Sequence, residues 1–246
     1  SPNLRRSMEL IAADVFGPIR EVHVWHPAHG WPSGDQRPAG TDPVPAGMDW
    51  DFWCGTAPLR PFKNGIYHPA KWRGWYDFGN GSVGDFCCHS FNLPLRALDL
   101  DYPSKIAVSG ERLGLESFAK SCTVKYHFPK NSKRDHEVSI NFYTGGGKDV
   151  PPDSAVAAAV KTFGKLPRVG CILIGDKGNL SSGLWNSECY LNMKGEEKYL
   201  GEGKHPAAKA VPKSLPRVES HVSEWVDACN GKGKTFSDFD FGGHLT

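Results

Sequence analysis

No apolar run in the 246 residues approaches the roughly 20 that a membrane-spanning helix needs. The first residues also lack the charged start and apolar core of a targeting segment. Neither sign of charge dominates: Lys and Arg number 29 against 27 Asp and Glu, which removes net charge as the basis for a nucleic-acid or membrane partner. The seven cysteines (54, 87, 88, 122, 171, 189, 229) contain no Cys-x-x-Cys pair and no metal-like spacing, and an odd, scattered set is no disulfide framework. Most lie in apolar runs such as Val169-Gly-Cys-Ile-Leu-Ile, where a thiol packs as a small hydrophobe. That usage fits a reducing compartment, with a cytoplasmic location favoured and a periplasmic one compatible. Helices regularly interleaved between strands, the requirement of a doubly wound parallel sheet, are missing too.

What is present reads in order. Apolar side chains at 4, 8, 11, 12 and 15 have helical spacing, and Gly17-Pro18 ends the pattern. Ile19 to His26 alternates as a strand, with Val22 and Val24 on one face and His23 on the solvent side. Residues 27–69 are proline-rich and aperiodic, with at most a short helix from Met48 to Cys54. Their aromatic content argues against disorder. Trp25, Trp31, Trp50, Trp53, Trp72 and Trp75 all fall in the first third of the chain and point to a site there.

From Ser82 or Asp85 to Leu98 a helix is expected, kinked or split by Pro94. Strands follow at 104–110, 121–128 and 136–143, the last two joined by a polar turn that signals a hairpin. A helix at about 153–163, a buried strand at 169–174, a tight turn at Gly175-Asp-Lys-Gly178 and a strand at 188–193 come next. The last amphipathic helix, 218–229, gathers Val218, His221, Val222, Trp225, Val226 and Cys229 on one face, and the tail after it carries no stop signal. The expected class is α+β: a single open, mainly antiparallel β-sheet with helices packed on one face.

The chemistry concentrates in residues 72–92. Gly79-Asn-Gly-Ser-Val-Gly84 has the Gly-x-Gly-x-x-Gly spacing of a dinucleotide loop, but no buried strand precedes it and no βαβ unit surrounds it. It is read as a turn feeding a helix. Asp85 and His89, four apart, project from one helix face, a natural proton-shuttle pair; a helix cap and a satisfied core histidine fit the same spacing. Arg73 between Trp72 and Trp75 suits a carboxylate, phosphate or sugar hydroxyl, flat aromatics suit sugar faces, and a surface salt bridge fits equally. Asp77 and, at the end of its strand, His26 complete the candidates.

Five motifs in order resemble one family: Arg20-Glu-Val-His-Val-Trp, Asp49-Trp-Asp-Phe-Trp, Trp72-Arg-Gly-Trp-Tyr-Asp-Phe-Gly, Gly84-Asp-x-x-x-His89 and Ile174-Gly-Asp-Lys-Gly178. They look like the second domain of the Gfo/Idh/MocA oxidoreductases, most like the branch acting on sugars and glycosides. The resemblance implies His89 as proton shuttle, Asp85 as its orienting partner, Arg73 as a substrate contact, and Trp72, Trp75, Asp77 and His26 around the substrate. It implies NAD or NADP bound in the full-length parent by an N-terminal Rossmann domain, together with the family's catalytic lysine in a Glu-Lys-Pro motif. Neither that motif nor a nucleotide-binding strand-loop-helix occurs here. The expectation is therefore a fragment cut at both ends: residues 1–17 a terminal helix or linker from the missing domain, and 18–246 a substrate-binding and oligomerisation domain. The implied partners are a small sugar or glycoside, the missing Rossmann domain and further copies of the chain through the sheet, with no nucleic acid, membrane, metal or cofactor held by these residues. The alternative, from another class, is a stand-alone carbohydrate-binding or assembly module without catalysis.

Overall fold

The alternation Val22/Val24 against His23/Trp25 defines β1 (Ile19–His26), which becomes the fourth strand of an eight-stranded sheet. The computed structural model describes residues 1–26, 30–111, 116–145, 150–183 and 185–246. The other strands are β2 (Lys105–Gly110), β3 (Cys122–Phe128), β4 (Val138–Thr144), β5 (Gly170–Gly175), β6 (Gly178–Ser181), β7 (Tyr190–Met193) and β8 (Leu200–Gly201). Their spatial order is β2-β3-β4-β1-β5-β6-β7-β8, open at both edges, and every neighbouring pair is antiparallel except β1 with β4. The class is α+β, as the run of short-turned strands implies.

One face of the sheet presents Val22, Val24, Val124, Ile140, Phe142, Cys171 and Leu173 to α1 (Pro2–Ala12), α3 (Gly81–Ser90) and α4 (Asn92–Ala97), whose Leu4, Leu10, Leu93 and Leu95 close the main core. The opposite face carries a second cluster, in which Trp25, Tyr143 and Ile172 meet Ala155, Val156 and Ala159 of α5 (Asp153–Phe163). Most helices thus share a face and α5 adds cover on the other. His23 belongs to that second face but is only 2% exposed, stacked on Tyr143 with Nδ1 2.9 Å from its hydroxyl and Nε2 3.2 Å from Glu21. Burial there lowers the imidazole's pKa, with Glu21 opposing. The solvent position expected of His23 is corrected accordingly.

The long excursion builds a core of its own. Trp50, Cys54, Phe62, Tyr67 and Trp75 are buried together, with α2 (Trp50–Cys54) capped by the Asp49 side chain and Trp53 and Phe78 packed alongside. Three of the six early tryptophans therefore hold the excursion together rather than line a site.

The C-terminal segment returns over α1, beginning with α6 (Pro206–Lys209), whose Ala208 carbonyl accepts from Arg6. Glu9 of α1 accepts from Arg6, the Leu215 amide and Arg217, while Arg5 pairs with Glu224 of α7 (His221–Cys229) at 2.7 Å. The tail is not without structure: α8 (Phe239–Leu245) sets Phe241 3.4 Å from the Arg96 guanidinium. The apolar stripe of α7 faces outward, with Val222 70% and Trp225 61% exposed. Ionic contacts and a Ser220/Ser223 capping box fix this helix. Among the described residues no helix is long and apolar enough to cross a membrane.

Candidate functional site

Two glycines set the approach to the site. Lys71–Gly74 forms one 3-10 turn, Trp75 bridges to Ser117, and the chain then doubles back so closely that a Cβ on Gly79 would lie 2.6 Å from the Arg73 Cα. Gly81 takes φ +60°, where L side chains are strained, and a Cβ there would meet the Phe118 ring at 2.5 Å. The space beside these glycines is filled by the protein's own backbone and by Phe118, and the run follows a turn rather than a strand. A dinucleotide loop requires a strand before it and open glycine faces for the pyrophosphate. Residues 79–84 do not fit that group.

With the turn so placed, α3 carries Asp85 and His89 on successive turns of one face. Arg73 reaches across from the 3-10 turn, its Nε donating to Asp85 Oδ1 at 3.2 Å and its Nη1 to the Ala70 carbonyl at 3.3 Å. The guanidinium lies 4.5 Å from the centroid of a Trp72 ring, with Trp31 at 6.0 Å. Both members of the ion pair are about one third exposed, so hydrogen-bonding groups on each remain open to a ligand. They lie on an open cleft of about 330 Å³ lined also by Trp72, Asp77, Asn80 and Gly84. Asp77, on this wall, is held by the buried guanidinium of Arg60, which itself lies 4.6 Å from the Phe78 ring, and by Arg37 at 4.0 Å. Its carboxylate fixes the wall of the cleft as well as facing it.

His89 is exposed and lies one turn further along α3, about 6 Å from Asp85 by helical rise, outside the cleft lining. Its ring stands 6.4 Å from Phe86 and 6.4 Å from Trp185, tilted steeply to both. His26 is buried and stacks on Phe86 at 3.5 Å, backing α3 rather than lining the cleft. Trp75 is corrected from a substrate contact to a packing residue: it is 1% exposed, and its indole N–H donates to the Ile66 carbonyl at 3.1 Å. The structure thus gathers Arg73, Asp85, Trp72 and Asp77 in one cleft, places His89 beside it, and buries Trp75 and His26.

Three further residues belong to this surface. Asn80 lines the cleft, Trp31 stacks on Phe86 at 5.7 Å, and Trp185 adjoins His89. Asn80 and Phe86 sit inside the stretch that the motifs marked; Trp185 is isolated in sequence and carries no local signal. The neighbouring thiols take no part. Burial pushes the pKa of Cys87 up, with Cys88 adding to it, and burial followed by Asp85 does the same for Cys88. Among the described residues no group of three or more His, Cys, Asp or Glu could hold a metal ion.

The family comparison agrees with the motifs. Residues 24–132 match the oxidoreductase family model for the Gfo/Idh/MocA C-terminal α/β domain. Among solved structures, the chain is similar to the WlbA dehydrogenase from Bordetella pertussis, in complex with NADH and UDP-GlcNAcA, with TM-score 0.52, 13% identity and coverage of 100% of this chain and 55% of that one. The aldose-aldose oxidoreductase from Caulobacter crescentus, complexed with glycerol, gives 0.51, 14%, 100% and 55%. Levoglucosan dehydrogenase, in complex with NADH and L-sorbose, gives 0.52, 10%, 99% and 59%. At these identities the likeness is one of fold, and this chain spans little more than half the length of each of those proteins. No curated protein sequence matches the chain. Residues 24–132 thus resemble the C-terminal α/β domain of the Gfo/Idh/MocA oxidoreductases, and the fold of the chain agrees with that likeness.

Proposed function

We propose that this chain is the substrate-binding part of an NAD(P)-dependent oxidoreductase that acts on a hydroxyl of a sugar or glycoside. The observation that carries this reading is the partly exposed Arg73–Asp85 pair on a cleft, with the exposed His89 on the same helix face. The fold supports it, because solved proteins of this shape include dehydrogenases holding NADH together with a sugar or a nucleotide sugar.

Each group has work that its chemistry suits. The planar guanidinium of Arg73, steadied by Trp72, donates to sugar hydroxyls, and Asp85 accepts from them while holding Arg73 in place. Asp77, held by Arg60, keeps the cleft wall fixed. His89, exposed on α3, takes or returns the hydroxyl proton as the carbinol is oxidised or the carbonyl reduced. The nicotinamide, when bound, supplies the hydride acceptor or donor, and residues outside this chain would hold it, since the glycine run here does not fit it. Residues 1–17 would lead in from those residues, and 18–246 would form the substrate and self-association unit. The uncovered edge strand β2, exposed along its whole length, is compatible with self-association through the sheet.

Calorimetric titration with methyl glycosides tests the reading on the chain itself. Wild type is expected to bind, and Arg73→Ala, which removes charged hydrogen bonds, to lose at least about tenfold in affinity. NAD is expected to show no micromolar binding. Equal affinity in wild type and Arg73→Ala would remove Arg73 from the site, and sugar binding with no role for His89 in turnover would favour a binding module.

A further inference from the structure

The turn carrying Trp185 is locked far more firmly than an exposed surface turn requires. Asn186, the next residue, is fully buried with φ +49°, the left-handed region that asparagine adopts more readily than other non-glycine residues. Its side chain is the fixing element. Oδ1 accepts from the Leu93 amide of α4 at 3.1 Å, and Nδ2 donates to the Ser90 carbonyl at the end of α3 at 3.5 Å and to Ser182 Oγ at 3.4 Å. The amide of Asn186 donates to the Gly183 carbonyl at 3.0 Å, and the Ser187 carbonyl accepts from the Asn3 side chain at 2.6 Å. A turn between β6 and β7 is thereby bolted to the junction of α3 and α4, one residue beyond His89.

What this arrangement holds up is an indole left 64% exposed. Its ring stands at 62° to that of His89, with centroids 6.4 Å apart, so imidazole and indole form two walls of a corner rather than a closed stack. Burial does not account for a tryptophan held this way, since most of its surface gains nothing from folding. The corner opens on the same face of α3 as the Arg73–Asp85 pair. A ligand seated in this corner can bring a hydroxyl to the imidazole and lay its neighbouring atoms against the indole.

We infer that Trp185 is a specificity-determining residue: a rigid aromatic platform that takes the C–H face of a cyclic sugar whose hydroxyl is presented to His89. The inference rests on the proposed sugar-oxidoreductase reading and narrows it to ring-closed substrates. A pyranoside has a flat apolar face of axial C–H bonds to set on an indole, and an open-chain polyol has none. The selectivity follows from the platform, while Arg73 and Asp85 bind hydroxyls of either form.

Affinities of methyl β-glucopyranoside, methyl β-galactopyranoside and the open-chain polyol sorbitol, measured by calorimetry in wild type, Trp185→Ala, Trp185→Phe and Arg73→Ala, test this. The expected result is that wild type prefers a cyclic glycoside, that Trp185→Ala loses about tenfold for it with sorbitol unchanged, and that Trp185→Phe recovers most of the loss. Unchanged circular dichroism and melting temperature of Trp185→Ala would show the loss to be local. If wild type and Trp185→Ala bind the glycosides alike while Arg73→Ala is weakened, the platform is refuted and the sugar site stands. If wild type binds none of the three, the sugar reading fails and the platform fails with it.

Discussion

Replacing Glu9 with glutamine gives the sharpest quantitative test of how this fold closes. The carboxylate is 1% exposed and accepts four hydrogen bonds: Oε1 from the Leu215 amide at 2.8 Å and Arg217 Nη1 at 2.9 Å, Oε2 from Arg6 Nη1 at 3.0 Å and Arg217 Nη2 at 2.9 Å. Burial pushes its pKa up, but Arg217, the Leu215 amide and Arg6 outweigh that and hold it at about 2 against an ordinary 4.5. Because the folded pKa is depressed, the stabilisation is fully present above about pH 4.5 and is lost as pH falls toward 2. A difference of that size corresponds to roughly 3 kcal/mol, of which roughly 2 kcal/mol is gone by pH 3. Glu9→Gln leaves Arg6 without its buried counter-charge and should cost roughly 3 kcal/mol at pH 7. Urea unfolding of both proteins from pH 7 to pH 3 measures this: the gap between them should shrink to roughly 1 kcal/mol at pH 3. A gap that stays constant over that range would refute the assignment of the network to Glu9.

Two further substitutions probe the site's support. Gly81→Ala forces a Cβ into the Phe118 ring at a positive φ and should lower the urea midpoint by the equivalent of about 1–2 kcal/mol or more, whereas a neutral effect would show that the turn can relax. Asp77→Ala strands the Arg60 guanidinium, whose side chain is 1% exposed, and is expected to cost about 3–5 kcal/mol in the same assay; a loss below about 1 kcal/mol would mean that the pair carries little.

The parts legible in the sequence were those set by local periodicity. β1 runs over Ile19–His26 as its alternation implies, and α5 over Asp153–Phe163. The helix expected to about Leu98 divides after Ser90, and Pro94 lies in the first turn of α4, where a missing N–H is no loss. What local pattern could not show is which faces are covered twice. His23 looked outward because Val22 and Val24 face the main core, yet the second face is packed as well. The early tryptophans suggested a site, but Trp50, Trp53 and Trp75 answer the excursion's need for a core of its own. α7 was legible as a helix, but which way its apolar face turns was not, and it is tied to α1 by the Arg5–Glu224 pair. Arg73 and Asp85, twelve residues apart in sequence, meet because Gly79 and Gly81 allow the chain to double back. Trp185 and Asn186 reach the α3–α4 junction from a turn some ninety residues away, and no local sequence window contains both the turn and the junction.

The central claim is that α3 of this chain supplies the proton-handling group of a sugar oxidoreductase, and turnover of the enzyme completed by a matching Rossmann domain tests it most directly. NAD(P)-linked oxidation of a glycoside should fall by at least about a hundredfold in kcat for His89→Ala, while Arg73→Ala acts mainly on KM. Equal kcat in wild type and His89→Ala would contradict the account.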